Sequence, residues 1–348
     1  MSPRTNAAGA KSAFPNAEES LALQASLLSG ERAAEAWKKL SAASTAQKFG
    51  IAWIAPLLMS NLVKIAPTDP WVTGNPHFLT LCHLKTRAIV SGATAVLLLL
   101  ESADIKTLAL KGLALGATVY DAPGLRTVSD LDILVPTKDA FRAIDVLKKA
   151  SLRAGRGEPR LPADLRDHHA HAFYPTMSHA LSLDLHWHVL ASARGDDDDL
   201  PFWAEAQPIS LAGQKTLALC PEDQLLHVLV HGVRWTRMPH VRWVADAALI
   251  LRRTGEQFRT ERFLEGLDRF DAVTPAREGL RFLVDLLGEG EDLYDRVRSL
   301  KRSRFSQLAF KARATAYETR TVADRIALRI ESAVWTRRAR RRSAAGRN

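Results

Sequence analysis

Two neighbouring stretches decide the fold: Leu110-Lys-Gly-Leu-Ala-Leu115 and Ser129-Asp-Leu-Asp-Ile-Leu-Val135. The first follows Lys106-Thr-Leu-Ala-Leu110, a short β-type run that ends at Lys111-Gly112 and opens a helix over Leu113 to Tyr120. Asp121-Ala-Pro-Gly124 stops that helix. The second alternates as a strand and is closed by Pro136. Side chains alternate across a strand, so Asp130 and Asp132 share one face, about 7 Å apart along it. Leu131, Ile133 and Val135 point the other way, into a core.

Downstream, Asp139 to Ala150 has the pattern of an amphipathic helix. Ala172-Phe-Tyr-Pro-Thr176 and Leu181-Ser-Leu-Asp-Leu-His-Trp187 follow as strands joined near Ser178-His179, with Pro175 placing the first at a sheet edge. In the later strand Leu181, Leu183, Leu185 and Trp187 form one face, and Ser182, Asp184, His186 and His188 the other. If this strand lies beside the one carrying Asp130 and Asp132, Asp184 joins them. Glu19 to Ser102 is helical in pattern, with a break at Thr68-Asp69-Pro70. Pro221-Glu222-Asp223 starts a second helical stretch, proline in the first turn and acids at the positive end of the helix dipole. Helices are expected over Val241–Leu251, Phe258–Arg269 and Ala276–Leu287. The expected class is α+β, a small mixed sheet with helices, flanked on both sides by helical regions. The expected divisions are a flexible leader over 1–18, an N-terminal helical region over 19–104, a core over 105–215, a C-terminal helical region over 216–335 and a basic tail over 336–348.

Composition narrows the class of protein. Across 348 residues, 47% are hydrophobic and 25% charged, a globular mix long enough for a large core. The longest uncharged apolar stretch, Ala88 to Leu100, is 13 residues, short of a membrane span. The N-terminus lacks the apolar segment of a secretory signal, and Cys82 and Cys220 cannot form a disulfide framework or a zinc ribbon. The expected location is cytoplasmic. The net charge of +10 is local: residues 301–348 carry 14 Lys/Arg against 3 Asp/Glu, so the rest is close to neutral. The excess peaks at Arg337, Arg338, Arg340, Arg341 and Arg342, and its plain reading is a solvated, partly disordered terminus rather than a structured nucleic-acid face.

Three clustered carboxylates repel one another, and each repulsion raises a pKa unless a cation holds the group ionised. Oxygen donors without cysteine select Mg²⁺ or Mn²⁺ over zinc. Nine of the 11 histidines lie between His168 and His240. His227 and His231 have the i, i+4 spacing of a metalloprotease helix, but Val228 stands where the general base must be. The remaining histidines read as core or hydrogen-bonding groups, with His186 placed to support Asp184 from outside the ligand set. Asp196 to Asp199 reads as a solvated acidic turn. No P-loop, dinucleotide-binding glycine pattern or nucleophile elbow is present.

The order strand, Lys-Gly, helix, then Asp-x-Asp on the next strand resembles the polymerase-beta nucleotidyltransferase superfamily. More closely, Leu110 to Leu115, Tyr120, Pro123, Arg126 and Asp130 to Val135 resemble an uncharacterised nucleotidyltransferase family. Asp184-Leu-His-Trp187, Pro221 to His227, His231-Gly232, Arg242-Trp243 and Asp246 continue that likeness. The resemblance implies a polymerase-beta-type core and transfer of NMP from an NTP, ATP by default, to a hydroxyl or similar acceptor. Asp130, Asp132 and Asp184 are then the catalytic and metal-binding residues. Lys111, Gly112, Ser129 and Arg126 are the nucleotide-binding ones, and His186 is a supporting group. The superfamily's Gly-[Gly/Ser] is Lys111-Gly112-Leu113 here, which removes a phosphate-binding hydroxyl. Lys111 either replaces it on the phosphates or pairs with an aspartate as a resting counterion. Arg126 has the same two readings, phosphate ligand or structural ion pair. The implied partners are an NTP and an acceptor, a small molecule or peptide ahead of nucleic acid. The rival readings are a nucleotide-binding regulator of the same fold without turnover, and an RNA-binding protein using the basic terminus.

Overall fold

The computed structural model describes residues 13–43, 49–155, 159–160, 162–175, 182–234, 241–302, 304–315 and 320–345. Seven strands form one mixed sheet: β1 Leu108–Ala109, β2 Leu131–Leu134, β3 Leu152–Ala154, β4 Ala170–Pro175, β5 Leu183–His186, β6 Gln207–Leu211 and β7 Gln214–Ala218, in the order β3-β4-β5-β2-β1-β7-β6. β2 runs parallel to β5 and antiparallel to β1, and β1 runs parallel to β7.

Period-two alternation divides the core in two. Leu131, Ile133, Leu183, Leu185 and Phe173 face the helices Phe78–Ser102 and Ala140–Lys149, which contribute Ile89, Ala93, Leu97, Leu100, Ala143, Ile144 and Leu147. On the opposite face, Leu108, Leu134 and Leu219 join a larger helical core. That core mixes Leu23, Leu58 and Leu62 from the N-terminal helices Ala17–Leu27 and Ala55–Ile65 with Trp243, Leu280 and Leu283 from the C-terminal helices Arg242–Thr254 and Val273–Leu287. The two helical regions, separate in sequence, thus form one body against the sheet.

Several expectations are corrected. Pro175 is not on an edge strand: β4 lies between β3 and β5, and Pro175 is its last residue, paired with Leu152. The strand end tolerates a missing N–H. β3 and the β6–β7 hairpin had no reading in the sequence. The hairpin turns through Ala212 and Gly213, both at positive φ (49° and 90°), as a two-residue hairpin turn demands. Its second strand ends at Ala218, past residue 215. The leader is ordered sooner than expected: Phe14 packs on Trp243 and Phe282, and Asn16 caps the helix beginning at Ala17. Residues 1–12 and the Ser178-His179 connection lie outside the described residues. The C-terminus is a helix, Val322–Ala345, that runs through residue 336. By length and composition Phe78–Ser102 is apolar enough to cross a membrane, longer than its 13 uncharged residues suggested, but its buried side packs on the sheet.

The Asp196–Asp199 run is not simply solvated. Asp198 and Asp199 are buried. Asp198 accepts from the backbone N–H groups of Arg194 and Gly195, while Asp199 accepts from Val189 N–H and pairs with His188 Nδ1 at 2.5 Å. Four consecutive acids conceal two that staple the loop after β5.

Candidate active site

The site forms where β1 ends. Leu110 donates its N–H to the Asp132 carbonyl at 2.9 Å, and Lys111 then turns into the helix Lys111–Thr118 at φ +46°. A non-glycine residue in that region stores strain, a cost often found at functional turns. Here it aims the side chain back over β2: Lys111 Nζ lies 2.5 Å from Asp132 Oδ1. Gly112 follows, buried, and a Cβ there would meet the Val128 methyls at 3.4–3.5 Å.

The parallel pairing of β2 with β5 sets Asp132 beside Asp184 and Leu134 beside His186. The condition attached to Asp184 is met, and both aspartates lie on the face away from Leu131 and Leu183. His186 Nε2 stands 3.2 Å from Asp132 Oδ1. Asp132, Asp184 and His186 each offer a ligand atom within 4.8 Å of the others. His186 therefore belongs among the candidate ligands rather than behind them. Asp130 is outside this trio. It sits just before β2, half-buried, and accepts from the Ser129 hydroxyl at 2.9 Å.

Charge is unevenly shared. Burial pushes the Asp132 carboxyl up, but Lys111 and His186 outweigh it and hold the group well below the carboxylate range. Asp184 moves the opposite way, raised first by burial and then by the negative charge of Asp132. Two histidines nearby are kept neutral: His169 is pushed down to about 2 and His227 to about 3, in each case by burial first and then by neighbouring positive groups.

Beyond the trio opens a cleft of about 850 Å³, solvent at its mouth included, walled by Lys111, Gly112, Ser129, Asp130 and Asp132 on the sheet side and by His227, His231, Arg242 and Asp246 on the helical side. Arg126 is committed to this wall. Its Nε and Nη2 donate to the two oxygens of Asp246 at 2.7 and 2.8 Å, Nη1 donates to the Thr127 carbonyl, and Tyr120 donates its hydroxyl to the same Asp246. Of its two readings, the structure displays the ion pair. Lys111 likewise displays the counterion arrangement. Arg242, Asp246 and His227 carried no assigned role from the sequence; Arg242 and Asp246 were marked only by the family's later blocks, and His227 also by its i, i+4 spacing to His231.

Strand, turn, helix and strand thus follow in order, with two aspartates in register across parallel strands. The chain belongs to the family described as uncharacterised nucleotidyltransferase, which matches residues 76–288. Among solved structures it is similar to the antibiotic-resistance factor ANT(2'')-Ia in solution, at 12% identity and a TM-score of 0.38, covering 54% of this chain and 96% of that one. It is also similar to a crystal structure of an antigenic nucleotidyltransferase-like protein from Paracoccidioides brasiliensis, at 14% identity and a TM-score of 0.36, covering 62% and 94%. No curated protein matches.

Proposed function

We propose that the protein transfers a nucleoside monophosphate from an NTP, ATP by default, to a hydroxyl on a small molecule or peptide, with Mg²⁺ or Mn²⁺. The observation that supports this reading is the β2–β5 register, which sets Asp184 beside Asp132, a residue of the cleft that the Lys111-Gly112 turn also lines. The donor set fits a divalent ion: two carboxylates and an imidazole converge, and the Lys111 ammonium already stands in as a cation on Asp132. Asp132, Asp184 and His186 would hold the ion, with Asp130 closing the site from the mouth. A bound ion supplies charge neutralisation for the triphosphate and acidifies the acceptor hydroxyl.

The chain's own groups do the rest. Gly112 lets the backbone approach a phosphate closely, at the N-terminus of a helix that favours negative charge. Lys111, once released from Asp132, is within a side-chain swing of the same phosphate. Asp184, beside Asp132, would help take the acceptor's proton. Catalysis then rests on alignment and preorganised charge.

The Lys111–Asp132 pair also favours the rival reading, a nucleotide-binding protein in which lysine has replaced metal for good. Calorimetric titration with each NTP and Mg²⁺, on wild type and on Asp130→Ala/Asp132→Ala, tests the first reading. Metal-dependent binding lost in the double variant, with label transferred from an α-labelled NTP, is expected. Metal-independent binding without transfer selects the regulator, and no binding of any NTP, even with Mn²⁺, removes both.

A further inference from the structure

Two ion pairs take up four charged groups of the cleft, and among the described residues Asp130 and Arg242 stand outside them. Lys111 is matched by Asp132, and Arg126 by Asp246. Asp130 sits at the mouth, held by Ser129. Arg242, the first residue of the helix Arg242–Thr254, lines the same cleft and makes no ion pair with a carboxylate among the described residues. Its contacts are of another kind: Nη1 donates to the Thr127 carbonyl at 3.2 Å, and the guanidinium lies 4.3 Å over the ring of Trp53. Trp53 is itself fixed, because its carbonyl accepts from the Thr127 hydroxyl at 2.8 Å.

This is an expensive way to keep a cation. Burial and the nearby Arg126 charge push the Arg242 pKa down to about 10, so the group stays charged at neutral pH while bearing both penalties. A structural arginine is ordinarily compensated by an acid, as Arg126 is. A guanidinium stacked on an indole and lining a cleft, with one hydrogen bond to a carbonyl among the described residues, is prepared for an anion. The surroundings narrow the anion. Gly112 and Lys111 line the same cleft, so an anion with several charged groups can meet the guanidinium and the Lys111-Gly112 turn together.

We propose that Arg242, positioned by Trp53, is a polyphosphate ligand of this cleft, taking the role that the sequence suggested for Arg126. The inference rests on the nucleotidyltransferase reading for its substrate class, but not for its geometry. It also gives the N-terminal helical region a part in the site, since Trp53 comes from the turn that precedes the helix Ala55–Ile65.

The test titrates inorganic tripolyphosphate, and separately ATP, with Mg²⁺ into wild type, Arg242→Gln, Arg242→Lys and Trp53→Leu, with thermal melting of each variant. Wild type should bind both ligands. Arg242→Gln should weaken both by roughly ten- to hundredfold. Arg242→Lys should recover only part, lacking the planar fork, and Trp53→Leu should weaken binding less than Arg242→Gln. Because burial and Arg126 oppose the Arg242 charge more than Asp246 and Asp130 favour it, and no carboxylate among the described residues pairs with it directly, Arg242→Gln should melt close to wild type. Equal affinities for wild type and Arg242→Gln, or a lowered melting temperature with unchanged affinity, would overturn the proposal and leave the nucleotidyltransferase reading intact. Tripolyphosphate binding that depends on Arg242 without any ATP binding would keep the anion site and remove its parent reading. No tripolyphosphate binding by wild type overturns the proposal outright.

Discussion

Asp132 is the residue on which the charges of the cleft balance. It is 2% exposed, and its Oδ1 meets both Lys111 and His186. Asp132→Asn keeps the shape and removes the charge, leaving the half-buried Lys111 without an acid, a change that costs less than the ~3–5 kcal/mol of a fully buried pair. Metal-dependent NTP binding should vanish while the far-ultraviolet circular dichroism stays native; unchanged binding would remove Asp132 from the site. A second prediction concerns the two thiols. Burial, followed by the charge of Asp223, pushes the Cys220 thiol up to about 12. The reactive form is the thiolate, so at pH 8 Cys220 should react with a disulfide reagent roughly a thousandfold more slowly than an ordinary thiol. One thiol, Cys82, should titrate in the native protein and two after unfolding. Equal rates for both would contradict the burial of Cys220. At this scale the sequence exposes what alternation governs: Asp132 and Asp184 are legible because a strand has period two, whereas Asp130 precedes β2 and falls outside their cluster. It conceals what depends on distant partners. Arg126 meets Asp246, 120 positions away, and Asp199 meets His188 only because a loop folds back. Local pattern says nothing about either.

At the scale of elements, helix starts and breaks were legible where side-chain chemistry marks them. Asp69 accepts from Trp71 N–H to cap a short helix over Pro70–Thr73, and Pro221 opens the helix Pro221–Gly232. The β6–β7 hairpin was not, because Gln207-Pro-Ile-Ser-Leu211 has only one fully buried residue and so little hydrophobic alternation to read. Gly232 shows what sequence hides most completely. A Cβ there would stand 2.2 Å from the Trp243 Cβ, so the helices Pro221–Gly232 and Arg242–Thr254 touch where no side chain fits. Gly232→Ala should destabilise the protein by about 1–3 kcal/mol through overpacking and disturb the wall that carries Arg242. Chemical denaturation measures this, and an unchanged midpoint would show that the helices are not in contact. Glu222 ties the same element to the next. It accepts from Arg259 N–H at 2.8 Å and from Arg259 Nη2 at 2.9 Å. Burial pushes its carboxyl up, but these bonds prevail and hold it below the ordinary value. A carboxyl depressed in the folded state stabilises above its unfolded pKa, and that contribution disappears as pH falls through the folded one. Wild type should therefore melt above Glu222→Gln at pH 7, with the gap closing below about pH 4. A gap that does not narrow at all between pH 7 and pH 3 would assign the stabilisation to packing instead.

For the whole molecule, the question is whether the nucleotidyltransferase core stands alone. The family match runs from residue 76 to 288, and the order of elements suggests a core between two separable helical regions. The packing argues otherwise. Ala22, Leu23, Ala25, Leu58 and Leu62 are at most 1% exposed, and the core that buries them also contains Trp243, Leu280 and Leu283. Phe14 adds an aromatic contact to Trp243 and Phe282 from before the first helix. Each buried leucine is worth about 1.5–3 kcal/mol, and a domain's net stability is only about 5–15 kcal/mol. Removing the N-terminal helices therefore strips a contribution comparable to the fold's whole reserve, and it also removes Trp53 from beneath Arg242. A chain of residues 76–288 should lack a cooperative melt and near-ultraviolet circular dichroism, bind an apolar dye and fail to bind tripolyphosphate. Residues 13–302 should retain the cooperative melt. A native-like, cooperatively melting 76–288 fragment would show that the helical body is an accessory, and that the cleft is assembled by the sheet without it.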